Sequence, residues 1–261
     1  MQFGISTASL YPMLTEEVLL LFAEHAVPCC EIFFNTLSEL APSYVRKLKK
    51  IADQGGIQIL STHPFTCAFE PFMLFTGYDR RFQDAIEWHK YYFEAMNILG
   101  AKIFVFHGDR KQGILSEHAY FERFAVLRDL GKRFGITVAQ ENVERCRSGS
   151  PDFLEKMIRY LNGDVALVFD NKQARRAGVD AIAFVRQFAP YICHIHISDC
   201  TDNCDCTPIA PHSPQICLLL NELKKMGYKG GAVVELYRNL LQKDEDVFLS
   251  LQNLVEAYCI N

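Results

Sequence analysis

The 261-residue chain lacks a basic surplus: 27 Lys and Arg stand against 31 Asp and Glu, a formal net charge of −4. The electrostatic pull behind non-specific nucleic-acid binding is therefore missing. No uncharged apolar run approaches the ~18 residues that a membrane helix requires. The start, Met1-Gln2-Phe3-Gly4-Ile5-Ser6-Thr7, has neither the basic nor the apolar region of a signal peptide, so a cytoplasmic protein without a membrane partner is expected. A glycine-rich phosphate loop is absent as well. Ser6-Thr7-Ala8-Ser9 follows the first candidate strand, where a dinucleotide-binding fold would place its glycines. There is no linker or low-complexity stretch, and 49% hydrophobic with 22% charged residues excludes disorder. Cysteine alone is plentiful, with 10 residues, but no C-x-x-C module organises them. Reduced, mostly buried thiols are the expectation. Cys200, Cys204 and Cys206 share one short loop, which leaves a soft-metal site as the alternative there.

Short β-rich apolar runs alternate with longer amphipathic runs from end to end, the pattern of a parallel sheet covered by helices. The predicted strands are 3–6, 30–34, 58–61, 103–106, 137–140, 166–169, 193–197 and 232–235. The predicted helices are 16–25, 42–53, 80–99, 117–134, 151–161, 174–188, 214–226 and 244–258. Ser150-Pro151 and Ser213-Pro214 each offer a hydroxyl N-cap followed by a proline suited to the first helical position. Runs such as Ile103-Phe104-Val105-Phe106 are apolar on both faces, as strands buried on both sides must be. Eight units of about 33 residues fit an α/β protein built as a single (β/α)8 TIM barrel over residues 1–261. An open doubly wound sheet is the alternative.

A barrel carries its site at the C-terminal ends of its strands. There the chain places His63, His107, Glu141, Asp170, His194 with His196, and Glu235, nearly all of them metal-ligand types. A lone Asp at a strand end commonly caps a helix, and a lone His on a strand is commonly a hydrogen-bonded core residue. Four consecutive strands ending in Glu141, Asp170, His196 and Glu235 outweigh that reading. Two Glu, one Asp and one His make a mostly oxygen site suited to one divalent ion, Mn, Mg, Co or Zn.

Gln140-Glu141-Asn142, Phe169-Asp170-Asn171, His194-Ile195-His196-Ile197-Ser198-Asp199 and Gly227-Tyr228-Lys229-Gly230 followed by Val233-Val234-Glu235 resemble the xylose isomerase-like TIM barrels. That superfamily includes sugar phosphate isomerases/epimerases, ketose 3-epimerases, inosose dehydratases and endonuclease IV enzymes. The resemblance runs from Phe3-Gly4-Ile5-Ser6 to the last helix. It implies that Glu141, Asp170, His196 and Glu235 bind the metal and that Glu141 and Glu235 double as acid/base groups. It also implies that His63 and His107 match the histidines with which the endonuclease IV branch binds further zinc. His63, His107, His194 and Gln173 are thus kept as additional metal or substrate contacts. Two departures stand out: Gln173 replaces the histidine usual three residues after the Asp, and Asp199-Cys200-Thr201-Asp202-Asn203-Cys204 replaces the Arg or Asp-x-His expected after His196.

The resemblance implies a sugar (or sugar phosphate) isomerase/epimerase acting through an enediolate, with the metal polarising the ketone and the two Glu moving the proton. Arg145, Arg147 and Arg238 are the expected phosphate contacts among the basic residues that follow strand ends, Arg110, Lys111, Lys172, Arg175 and Arg176 being the others. The aromatic-rich stretch 63–78 is expected to fold over the mouth as a lid, a subunit contact being the other use of such a surface. Two alternatives remain: an endonuclease IV-like zinc phosphodiesterase, against which the net charge and Gln173 count, and a non-catalytic sugar-binding barrel. Members of the superfamily often assemble as dimers or tetramers, so a homo-oligomer is allowed.

Overall fold

All eight expected runs become strands in the computed structural model, which describes residues 1–259. They are β1 Gln2–Ser6, β2 Cys29–Phe33, β3 Gln58–His63, β4 Ile103–Phe106, β5 Thr137–Glu141, β6 Ala166–Asp170, β7 Ile192–Ile197 and, after an inserted pair, β10 Gly231–Val234. They close a parallel barrel in the order β1-β10-β7-β6-β5-β4-β3-β2. The helices around it are α1 Thr15–Glu24, α2 Pro42–Gln54, α3 Glu70–Met73, α4 Asp79–Leu99, α5 Glu117–Arg133, α6 Pro151–Tyr160, α7 Asn171–Arg176, α8 Ala181–Phe188, α9 Pro214–Lys225 and α10 Glu245–Cys259. No helix among the described residues is long and apolar enough to cross a membrane.

The helix expected over 174–188 is broken into α7 and α8. Gly178 has φ +69°, a conformation glycine adopts without a Cβ penalty, and Asp180 then caps α8 by accepting the Ala183 N–H at 2.7 Å. The inserted pair, β8 Asp199–Thr201 and β9 Cys204–Thr207, is an antiparallel hairpin where a loop was expected. It carries the three clustered cysteines as free thiols. They join no metal-competent cluster among the described residues, and Cys204 Sγ instead donates to Cys206 O at 3.2 Å. Of the two serine caps, Ser150 accepts from Phe153 N at 3.4 Å. Ser213 caps nothing; its hydroxyl donates to Asp199 Oδ1 at 3.0 Å.

Side-chain alternation along the strands separates two cores. Outward residues such as Ile5, Ile32, Phe104, Phe106, Phe169, Ile195 and Val234 join the large cluster under the helices, whereas inward Val105, Ala139 and Val168 form a small cluster of their own. Elsewhere the interior is polar: Ser6, Glu31, Ser61, His194 and His196 are all buried. A barrel interior normally filled by branched apolar residues is here half given over to hydrogen-bonding groups.

His89 of α4 lies buried among Tyr92, Phe93 and Phe104, and its Nδ1 lies 2.7 Å from Ala85 O. Burial lowers its pKa to about 4 from 6.5. The unfolded chain therefore takes a proton between those values that the folded chain refuses, and stability falls as pH drops from 6.5 toward 4. His89→Phe is expected to remove about 3 kcal/mol of that acid sensitivity. Urea titrations of both proteins at pH 7 and pH 4 check this, and parallel losses would contradict it.

Candidate metal and acid-base site

The C-terminal mouth of the barrel opens into a cavity of about 430 Å³ whose lining includes His63, His107, Glu141, Lys172, Gln173 and Glu235. Two asparagine clamps join the neighbouring strand ends. Asn142 donates through Nδ2 to Asp170 O (3.0 Å) and accepts the Asp170 N–H (2.7 Å). Asn171 repeats this with Ser198, donating to its carbonyl at 2.7 Å and accepting its N–H at 3.1 Å. The ends of β5, β6 and β7 are thereby tied side by side. Each clamp residue directly follows a carboxylate, Glu141 or Asp170, so the clamps hold those side chains level. The Glu235 N–H donates to Ile197 O at 3.1 Å and brings the fourth group alongside.

Donor atoms of Glu141, Asp170, His196 and Glu235 all lie within 4.8 Å of one another. His196 Nδ1 is 3.3 Å from Glu141 Oε1 and 3.6 Å from Glu235 Oε2. Oxygen ligands at about 2.0–2.4 Å from a divalent ion span distances of that size. Asp170 accepts the Gln173 N–H on Oδ1 at 3.0 Å, so it does cap α7, while its buried Oδ2 faces the Lys172 ammonium at 3.2 Å. Three carboxylates and one imidazole gathered in this way are a donor set that fits a bound divalent ion.

Charge is concentrated here. Burial works against ionisation of Glu141, but His107 and His196 beside it hold its carboxyl well below the usual range. Glu235 is likewise held down against burial, by Lys172 and His196. Asp170 is pushed up to about 6, chiefly by burial and by Glu235 and Glu141, with Lys172 opposing. Lys172 is fully buried, its Nζ 2.9 Å from Glu235 Oε2 and 3.2 Å from Asp170 Oδ2, and it stands 4.9 Å from the centroid of the Tyr237 ring. The sequence grouped it with other loop cations. Its place in the first turn of α7, two residues after Asp170, turns it back into the mouth.

The other expected contacts divide. His63 Nε2 and His107 Nε2 lie 2.8 Å apart, and His107 Nε2 is 2.7 Å from Glu141 Oε2. With Cys67 they form a second cluster of ligand types. Gln173 lines the cavity, but its Oε1 accepts the Glu144 N–H at 3.0 Å. His194 is not at the mouth: it is fully buried inside the barrel, two residues below His196. Of the three expected phosphate arginines only Arg145 lines the cavity. Arg147 is committed to Gly113 O (2.5 Å) and Leu115 O (2.7 Å), and Arg238 pairs with Asp244 at 2.5 Å. Arg176 lines the cavity too, but it is held by Asp205 and donates to Tyr237 Oη at 2.8 Å.

The stretch after β3 is a wedge rather than a lid. Phe65 packs on Trp88 and Tyr92, Phe75 stacks on Tyr120 at 4.3 Å, and buried Glu70 accepts the N–H groups of His107 (3.1 Å) and Gly108 (2.7 Å). Phe69, Phe72 and Tyr78 face solvent, and beyond His63 only Cys67 reaches the cavity. One central residue escaped the sequence reading altogether. Glu31 on β2 is completely buried, 3.1 Å from His196 Nε2. The signal was a charged residue inside the apolar run Cys29-Cys30-Glu31-Ile32-Phe33, at the inward parity.

A family model described as xylose isomerase-like TIM barrel matches residues 20–254. Comparison with curated proteins gives no match. Among solved structures, a D-tagatose 3-epimerase-like protein is 22% identical, with 100% of this chain and 98% of that one covered and a TM-score of 0.81. D-psicose 3-epimerase with D-tagatose from Clostridium cellulolyticum H10 is 12% identical, with 100% and 99% covered and a TM-score of 0.79. The IolI protein with a bound zinc atom is 18% identical, with 100% and 96% covered and a TM-score of 0.71. At these identities the likeness is one of fold.

Proposed function

The chain belongs to the xylose isomerase-like TIM barrel family, and from that premise we propose that it is a divalent-metal-dependent isomerase or epimerase of a ketose or ketose phosphate. The observation that carries this is the convergence of Glu141 and Glu235, from strands on different sides of the mouth, with Asp170 and His196 over one small-molecule cavity. The solved ketose epimerases of the same fold support the substrate class, and the zinc-bound neighbour supports the metal. Glu141, Asp170, His196 and Glu235 would hold the ion, which supplies Lewis-acid polarisation of the substrate carbonyl.

The rest is done by the chain itself. Glu141 and Glu235 are both ionised at neutral pH, the state in which a carboxylate accepts a proton. One removes the proton beside the carbonyl and later gives it up to water, and the other returns to the substrate a proton that it has taken from water. Return to the opposite face of the same carbon is epimerisation; return to the neighbouring carbon is aldose-ketose isomerisation. Lys172 keeps Glu235 charged and puts an ammonium on the cavity wall, where it favours the negative charge that builds up on substrate oxygen. The direct test is NMR detection of solvent deuterium entering 2-ketoses and their phosphates in D2O with Mn, Mg, Co or Zn supplied. Exchange into at least one is expected, and none across the panel would sink the reading.

Arg145 carries no ion pair among the described residues and lines the cavity, so it would take the phosphate of a phosphorylated substrate. Arg145→Met is expected to raise KM for a ketose phosphate by about 10- to 100-fold while leaving the neutral ketose unchanged. Equal effects on both would remove Arg145 from that role. A zinc phosphodiesterase remains the second reading because His63, Cys67 and His107 cluster beside Glu141. Incision of abasic-site DNA by the purified protein would favour it over isomerisation.

A further inference from the structure

Beneath the four ligand side chains the polar barrel interior converges on a single carboxylate. Glu31 Oε1 accepts the Ser6 hydroxyl at 3.1 Å, and its Oε2 accepts the Ser61 hydroxyl at 2.8 Å. The same Oε2 lies 3.1 Å from His196 Nε2 and 3.4 Å from His194 Nε2. Ser61 Oγ is in turn 3.0 Å from His194 Nε2. A buried carboxylate is tolerated only when its oxygens are answered in this way, and three other strands, β1, β3 and β7, contribute the answers. Glu31 does not line the cavity, so it does not meet substrate.

Its effect is on His196. The two ring nitrogens of His196 face opposite ways: Nε2 toward Glu31, and Nδ1 toward Glu141 Oε1 and Glu235 Oε2. A neutral imidazole has one N–H and one lone pair, so whichever nitrogen donates to a carboxylate leaves the other to bind a cation. We propose that Glu31 is a positioning residue that takes the Nε2–H of His196, locks the ring plane and tautomer, and presents the Nδ1 lone pair to the metal. The inference rests on the metal-dependent reading given above. A carboxylate does this better than a neutral acceptor because its charge also raises the donor strength of the imidazole it holds. Ser6 and Ser61 keep Glu31 from rotating away, and His194 supports the same oxygen from one layer below.

The test is zinc affinity by chelator competition on wild type, Glu31→Gln, Glu31→Asp, Ser61→Ala and His196→Ala, with melting of each EDTA-treated protein recorded alongside. Glu31→Gln is expected to weaken zinc binding about 10- to 100-fold while its metal-free form still melts cooperatively. Glu31→Asp recovers part of the loss, and Ser61→Ala, which keeps the charge, loses about three- to tenfold. Histidine 15N spectra of the zinc-loaded wild type should show His196 protonated on Nε2. If His196→Ala abolishes binding but Glu31→Gln stays within threefold of wild type, the Glu31 inference fails and the metal reading stands. If wild type takes up none of zinc, cobalt, manganese and magnesium, both fall. Should Glu31→Gln fail to fold, an unchanged affinity in Ser61→Ala or an Nδ1-protonated His196 overturns the proposal on its own.

Discussion

Glu235→Gln is expected to slow deuterium exchange into the ketose by about 10²- to 10⁴-fold with the barrel intact. The fold should survive because the backbone of Glu235 is held independently of its side chain, by its N–H to Ile197 O. Gln also keeps the shape, and Lys172 keeps Asp170 at 3.2 Å when it loses its carboxylate partner. The chemistry should not survive, because an amide neither accepts the proton nor carries the charge that Lys172 and His196 stabilise on the carboxylate. Glu235 is also a ligand in this reading, so the rate must be read at saturating metal. Exchange within threefold of wild type there would show that Glu235 moves no proton. Loss of circular dichroism would instead mean that the variant reports on folding.

Stripping the protein with EDTA is expected to abolish exchange and lower the melting temperature by about 5–10 °C, both restored by adding back a divalent ion. The magnitude follows from linkage: a ligand present at about 100 times its dissociation constant adds about 2.7 kcal/mol, and each kcal/mol moves Tm by about 2–4 °C in a chain of this size. The direction follows from the site. Glu31, Glu141, Asp170 and Glu235 bring four carboxylates together against Lys172, His107 and His196, and close like charges repel when no cation sits among them. Differential scanning calorimetry with and without EDTA checks this. An unchanged melting temperature together with full activity in chelator would remove the metal from the reading.

Wherever the chain's own period carries the information, sequence and structure agree. All eight barrel strands lie within two residues of their predicted ends, since an apolar β-rich run between helical runs has one place in a parallel sheet. The four strand-end residues Glu141, Asp170, His196 and Glu235 meet because strand ends in a closed barrel share a mouth whatever the loops do. Failures came where a local pattern competed with a distant partner. Ser213 has the makings of a cap but gives its hydroxyl to Asp199. Arg147 reads as a phosphate contact but spends its guanidinium on the carbonyls of Gly113 and Leu115. The aromatic stretch after β3 reads as a lid, yet its rings find Trp88, Tyr92 and Tyr120 and its Glu70 finds the backbone of His107 and Gly108.

By itself, then, the sequence determined the barrel and the ring of Glu141, Asp170, His196 and Glu235, because residue period and strand-end position are local properties that closure converts into proximity. Tertiary structure alone decided which charges stand around that ring. Glu31 and His196 are 165 residues apart and Lys172 and Glu235 are 63, and no local pattern states that such pairs meet. Their pairing depends on side-chain direction across the barrel interior, which exists only once all eight strands have closed.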